Sequence, residues 1–142
     1  MVGPDKDGSL EETREYAKQQ KVKVTFTGRL SKSEWVALSK DYNTFINTTN
    51  FDNTPVSVIE AMSLGLPVVT TNVGGIPFLL ENRKTALLVE ATAVKDMAEA
   101  VIELTTNHEL RTTLVQNGRA YVEGFDWDVV NKQWEQLLQN NN

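Results

Sequence analysis

Cysteine is absent from the 142 residues, which excludes disulfides and thiolate-held metal centres. Histidine occurs once, at His108, so neither a histidine-rich metal site nor a triad with a second histidine in reserve can be built. No apolar run reaches the roughly 20 residues that cross a bilayer. Basic residues are outnumbered, 14 against 19 acidic, and the formal net charge is −5. Non-specific nucleic-acid binding needs a basic face, so that function is excluded. The opening Met1-Val2-Gly3-Pro4-Asp5 lacks the basic and then apolar regions of a secretory signal. A cytoplasmic protein is the resulting expectation.

What is present is ordinary for a globular domain: 40% of residues are hydrophobic, and the length suffices for one core. The chain is therefore expected to form a single domain over 1–142. There is no internal repeat, low-complexity tract or linker. Val2-Gly3-Pro4 resembles the end of a strand whose beginning is missing, which suggests a piece of a larger protein. The Asn-rich end, Asn140 to Asn142, is expected to fray.

Along the chain, strands and helices alternate. Residues 9–20 read as a helix capped by Ser9, with Glu11 and Glu12 at the positive end of its dipole. Val22 to Thr27 alternates and is rich in β-formers, which predicts a strand. Gly28 to Lys32 reads as a loop, and Ser33 as the cap of a helix to about Lys40. Asn43 to Asn47 predicts a second strand, Pro67 to Thr71 a third and Ala86 to Val89 a buried fourth. Asn72-Val73-Gly74-Gly75-Ile76-Pro77 predicts a glycine turn opening a short helix to about Leu80. Three helices close the chain, near 93–105, 108–123 and 126–139. In the first, Val94, Met97, Ala98, Val101, Ile102 and Leu104 form an apolar stripe. Trp35, Trp127 and Trp134 lie in similar stripes and are expected in the core. This alternation implies an α/β fold, a Rossmann-like parallel sheet with helices on both faces. Ligands of such sheets bind outside the carboxyl ends of the strands, here Gly28-Arg29, Thr48 to Thr54 and Asn72 to Gly75.

The chemistry concentrates between Asn50 and Val69. Asp52 stands before a helix and Glu60 inside it. Pro55 suits the first helical position, because its ring presets φ and its missing N–H would have had no partner. Thr54 or Asn53 is then the expected cap. Gly65 ends the helix and Pro67 prevents its resumption. Around Glu60 the helix is apolar (Val56, Val58, Ile59, Ala61, Met62, Leu64), so its carboxylate is costly to bury without a donor such as a sugar hydroxyl. Two plainer readings belong beside these. Gly74 and Gly75 make a tight turn whether or not they meet a ligand. Arg29, Lys32, Arg83 and Lys84 read as solvated charges, and His108 as exposed and not catalytic.

The segments Asp52-Asn53-Thr54-Pro55, Glu60-Ala61-Met62, Gly65-Leu66-Pro67-Val68-Val69 and Val73-Gly74-Gly75-Ile76-Pro77 together resemble the C-terminal domain of retaining glycosyltransferases of family 4, the group 1 transferases. Thr25-Phe26-Thr27-Gly28 and Phe125-Asp126-Trp127 extend the resemblance from about Val22 to Leu138. It implies one half of a GT-B fold, in which two Rossmann-like domains enclose the active site. It implies that Asp52 contacts the donor sugar's hydroxyls and Glu60 the ribose. It also implies that the backbone at Asn53, Thr54, Val56 and Ser57 faces sugar and diphosphate, and that Gly28 and Arg29 lie against the base. The implied substrate is a UDP- or GDP-linked hexose, passed to a saccharide or lipid-linked acceptor, with no further cofactor and no metal. The family's Arg and Lys diphosphate clamp and its acceptor-side domain have no counterpart in this sequence. Phe78 stands where many members carry Glu. A non-catalytic Rossmann-like interaction module with a degenerate site is the alternative reading.

Overall fold

A computed structural model describes residues 1–3, 5 and 8–139. Pro4 and Asn140 to Asn142, on which two of the expectations above rest in part or whole, lie outside the described residues. The chain divides into two compact units, Met1–Lys40 and Asp41–Asn142.

The first unit holds helices α1 (Ser9–Gln19) and α2 (Lys32–Ser39). The cap of α1 is Gly8 and not Ser9: Gly8 adopts a left-handed φ of 80°, and its amide donates to the Asp5 carboxylate at 2.9 Å. Residues 22–27 do not form the expected strand. Four bonds tie this stretch and Gly28 to residues 1–3: the Met1 amino group donates to the Thr25 carbonyl, Thr27 N–H and Oγ1 to the Met1 carbonyl, and Gly3 N–H to Gly28. That is not a regular ladder, and the alternation is partial: Val24 and Phe26 are half-buried about an exposed Thr25, but Thr27 is half-buried too. The cap of α2 is Ser31 and not Ser33. The reason lies in the spacing, because a capping box needs its Glu three residues beyond the cap, and Glu34 stands three beyond Ser31. Ser31 Oγ accepts from the Glu34 amide at 3.3 Å, and the Glu34 carboxylate accepts from the Ser31 amide at 2.7 Å.

The second unit is built on three parallel strands in the order β1 (Phe45–Asn47), β2 (Val68–Thr71) and β3 (Leu87–Val89). Helix α3 (Val56–Ser63) crosses from β1 to β2, and the one-turn α4 (Ile76–Leu79) lies between β2 and β3. Helices α5 (Val94–Thr106), α6 (His108–Glu123) and α7 (Trp127–Gln139) follow. All four residues of β2 are buried, as befits the central strand of a parallel sheet covered by helices. Val69, Leu87, Leu104 and Leu114 form a core cluster, with Met97, Ala100, Val101 and Leu110 packed against it. Val58, Ala61 and Met62 bury the inner face of α3. That helix ends in a Schellman motif: Gly65, at φ 77°, donates to Met62, and Leu66 N–H reaches the Ala61 carbonyl.

Two expectations about packing fail. Val94, Ala98 and Ile102 of α5 are exposed, because only the Met97–Val101–Leu104 side faces the cluster. Trp127 and Trp134 are 74% and 57% exposed, and α7 buries no residue, so amphipathic spacing there marks a face and not a core contact. Trp35 is half-buried.

Candidate functional site

The carboxyl ends of β1 and β2 deliver two loops that lock together. The first runs from Thr48 to Pro55 and the second from Asn72 to Gly75. Thr71 Oγ1 donates to the Thr49 carbonyl at 2.5 Å, and Gly75 N–H donates to the Asp52 carbonyl at 2.9 Å. Thr49 Oγ1 closes the first loop by donating to the Phe51 carbonyl at 2.9 Å. That hydroxyl, at the edge where the sequence places ligands, therefore has a local structural task. On the third strand, Asn72 N–H donates to Val89 at 2.7 Å and its side-chain amide to Glu90 at 3.1 Å.

Glycine is required at this junction. Gly74 has a φ of 55°, and a Cβ there would overlap the Asp52 carbonyl; a Cβ on Gly75 would overlap that of Asn53. Backbone thus rests directly on backbone, and the acid-bearing turn is held by the glycine turn. The sequence flagged both glycines as turn formers but carried no sign of what they touch. Nor did it distinguish Thr71, which ties the loops, from Thr70, whose buried hydroxyl has no partner.

Helix α3 begins one residue later than expected. Pro55 is its N-cap, at φ −72° and ψ 91°, and its carbonyl accepts from Val58 and Ile59. Neither Thr54 nor Asn53 caps the helix, and no side chain does. The physical consequence is specific. A proline cap supplies no side-chain acceptor, so the Val56 and Ser57 amides, which the helical ladder also leaves without acceptors, point out of the positive end of the dipole. Asn53, Thr54, Val56 and Ser57 are all exposed, while Asp52 and Glu60 are half-buried. Glu60 follows Val56 by four residues and Ser57 by three, so it shares their face about 6 Å further along the axis. Its backbone carbonyl accepts from Ser63 Oγ at 2.7 Å. The edge therefore presents a carboxylate, an open helix N-terminus and a second carboxylate in series, a set suited to hydroxyls on either side of an anion.

The other residues singled out in the sequence are carried by other elements. Gly28 and Arg29 belong to the Met1–Lys40 unit, with Gly28 at φ 67° and Arg29 exposed. His108 is exposed at the start of α6, where its Nδ1 lies 2.8 Å from the Arg111 guanidinium. Lys84 pairs with Glu81 at 2.8 Å. Arg83 is more than a solvated charge: it meets Glu103 through two bonds of 3.0 and 2.7 Å, which hold the Glu103 carboxyl below its usual range. Among the described residues no group of three or more His, Asp or Glu is placed to hold a metal ion. None of the described helices is long and apolar enough to cross a membrane.

Residues 1–121 match the family model of the group 1 glycosyl transferases. The chain belongs to that family. Among curated relatives, the capsular polysaccharide biosynthesis glycosyltransferase CapM of Staphylococcus aureus is 33% identical over 106 residues, covering 74% of this chain and 27% of CapM. Among solved structures, sucrose-phosphate synthase of Thermosynechococcus elongatus superimposes with a TM-score of 0.85 at 26% identity, over 98% of this chain and 37% of the synthase. HepE of Anabaena, solved with UDP-glucose, gives 0.85 at 20% identity over 98% of this chain and 40% of HepE. This group 1 transferase chain thus spans between about a quarter and two fifths of these three proteins. Its fold is that of one Rossmann-like half of GT-B glycosyltransferases. The Asp52–Glu60 pair and the Gly74–Gly75 turn both lie within the residues that match the family; α7 lies beyond them.

Proposed function

We propose that this chain is the donor-binding domain of a retaining glycosyltransferase that moves a hexose from a UDP- or GDP-linked donor to a saccharide or lipid-linked acceptor. The observation that carries the reading is the uncapped N-terminus of α3, set between Asp52 and Glu60 at the carboxyl edge of the sheet. In this reading Glu60 accepts from the ribose hydroxyls and Asp52 from those of the sugar, while the Val56 and Ser57 amides face the diphosphate. Asn53 and Thr54 line the turn between sugar and phosphate. The family resemblance assigns Gly28 and Arg29 to the base. The structure of HepE with UDP-glucose supports a nucleotide sugar as the ligand class.

Retention without a positioned protein nucleophile fits internal return, with the leaving diphosphate assisting the incoming acceptor hydroxyl on the same face of the sugar. What the domain contributes is stabilisation of the negative charge that develops on the diphosphate as the glycosidic bond breaks. Fixed amide dipoles suit that task because they need not reorganise during the step. The acceptor and the basic diphosphate clamp belong, in this account, to parts of the parent enzyme outside the present chain, which alone is inactive as a transferase.

Calorimetric titration with UDP, GDP and ADP tests the reading. One of the three binds, and Glu60→Ala weakens it about tenfold or more, the loss expected for a charge-assisted hydrogen bond of about 1.5–3 kcal/mol. Equal affinity of wild type and variant would refute the role of Glu60.

A further inference from the structure

Phe78 and Phe51 are 91% and 75% exposed. Neither belongs to an amphipathic stripe: Phe78 lies in the one-turn α4 and Phe51 in the loop before α3. Both are anchored to the same junction. The Phe78 amide donates to the Gly75 carbonyl at 3.1 Å, Gly75 N–H donates to Asp52 at 2.9 Å, and Phe51 directly precedes Asp52. The backbones that carry the two rings are therefore fixed to each other through the backbone of Asp52. Large apolar groups left in water next to a ligand-binding edge mark a contact surface.

A pyranose ring presents two chemistries at once, a rim of hydroxyls and a face of C–H bonds. A carboxylate matches the rim, and the negative face of a phenyl ring matches the C–H dipoles. We infer that Phe51 and Phe78 form an apolar wall for the donor's sugar ring, with Asp52 gripping its hydroxyls. The inference rests on the donor-site reading above and adds the residues that select the sugar. The order along the edge favours the sugar over the base: the backbone that carries both rings is tied to Asp52, whereas in the donor-site reading the ribose, and the base beyond it, lie toward Glu60.

The test compares UDP with UDP-glucose, and GDP with GDP-mannose, on wild type, Phe51→Ala, Phe78→Ala and Phe78→Tyr. Both rings are exposed, so truncation leaves the fold intact, which circular dichroism checks. Each alanine variant weakens the sugar nucleotide by about three- to tenfold and leaves the bare nucleotide unchanged, and Phe78→Tyr restores wild-type affinity. Equal loss for nucleotide and sugar nucleotide places the rings on the base or phosphate and overturns the inference, as does no loss for either. Should wild type bind no nucleotide, the donor-site reading fails on its own. The wall is then read directly from chain labelled with ¹³C at the phenylalanine rings and titrated with methyl α-D-glucopyranoside and methyl α-D-mannopyranoside. Shifts at Phe51 and Phe78, assigned through the alanine variants, uphold it; unmoved ring signals in both titrations overturn it.

Discussion

A methyl group is what the turn at Gly74 and Gly75 has no room for. Gly75→Ala drives a Cβ into the Asn53 carbonyl and pushes apart the two loops that carry the site. The expected cost is roughly 1–3 kcal/mol, as for other overpacked positions, read as a lower urea midpoint. An unchanged midpoint would show that the loops are not locked. The neighbouring threonines separate by side. Thr71→Val removes the bond to Thr49 and costs about 1 kcal/mol. Thr70→Val removes a buried hydroxyl with no partner and is neutral or stabilising by up to about 1 kcal/mol, measured by the same denaturation. In the sequence the pair reads simply as Thr-Thr at a strand end. Alternation says that they face opposite ways, but not which hydroxyl meets a carbonyl, because that acceptor comes from a loop 22 residues away. The placement of Asp52 before a helix and of Glu60 inside it, by contrast, was legible, since the Pro and Gly that frame the helix are local.

Helix ends show where local chemistry decides and where it is outvoted. The Ser31–Glu34 box fixes the start of α2, so Ser31→Ala should cost about 1 kcal/mol, checked by thermal unfolding. The Ser31 hydroxyl and amide hold the Glu34 carboxyl below its usual value, and Arg83 does the same for Glu103. For a carboxylate whose folded value is depressed, the unfolded chain takes up the proton first as pH falls. The stabilisation is therefore present above the unfolded value of about 4.3 and is lost as pH drops through the lower folded values. Stability should decline from about pH 5 downward, and Glu103→Gln should flatten part of that decline; an identical acid limb would contradict this. The serine two residues later misled the sequence reading because Ser31 and Ser33 are equivalent by type and differ only in their distance from Glu34. Pro55 misled it in another way. Proline fits the first turn generally, and its carbonyl, accepting from Val58 and Ile59, makes it the cap.

At the scale of the molecule, the order of strands and helices was readable because βα alternation and glycine stops are written into short stretches. The parallel order β1-β2-β3 follows from it. What covers an apolar stripe is not written there, and α7 is the case in point. Its two tryptophans are exposed, so acrylamide should quench emission from two of the three tryptophans, with a maximum near that of free indole. Blue-shifted, quench-resistant emission would show α7 buried in solution. The strand that failed, 22–27, had the right composition, but a ladder also needs a partner in regular register.

Donor binding at this edge depends on the open end of α3, and amide chemical-shift mapping reads that end directly. Titrating ¹⁵N-labelled chain with UDP and GDP should move the Val56 and Ser57 amide signals most, with Asp52, Glu60 and Gly75 following. Shifts centred on any other face, with Val56 and Ser57 unmoved at saturation, would contradict the assignment of this edge as the donor site.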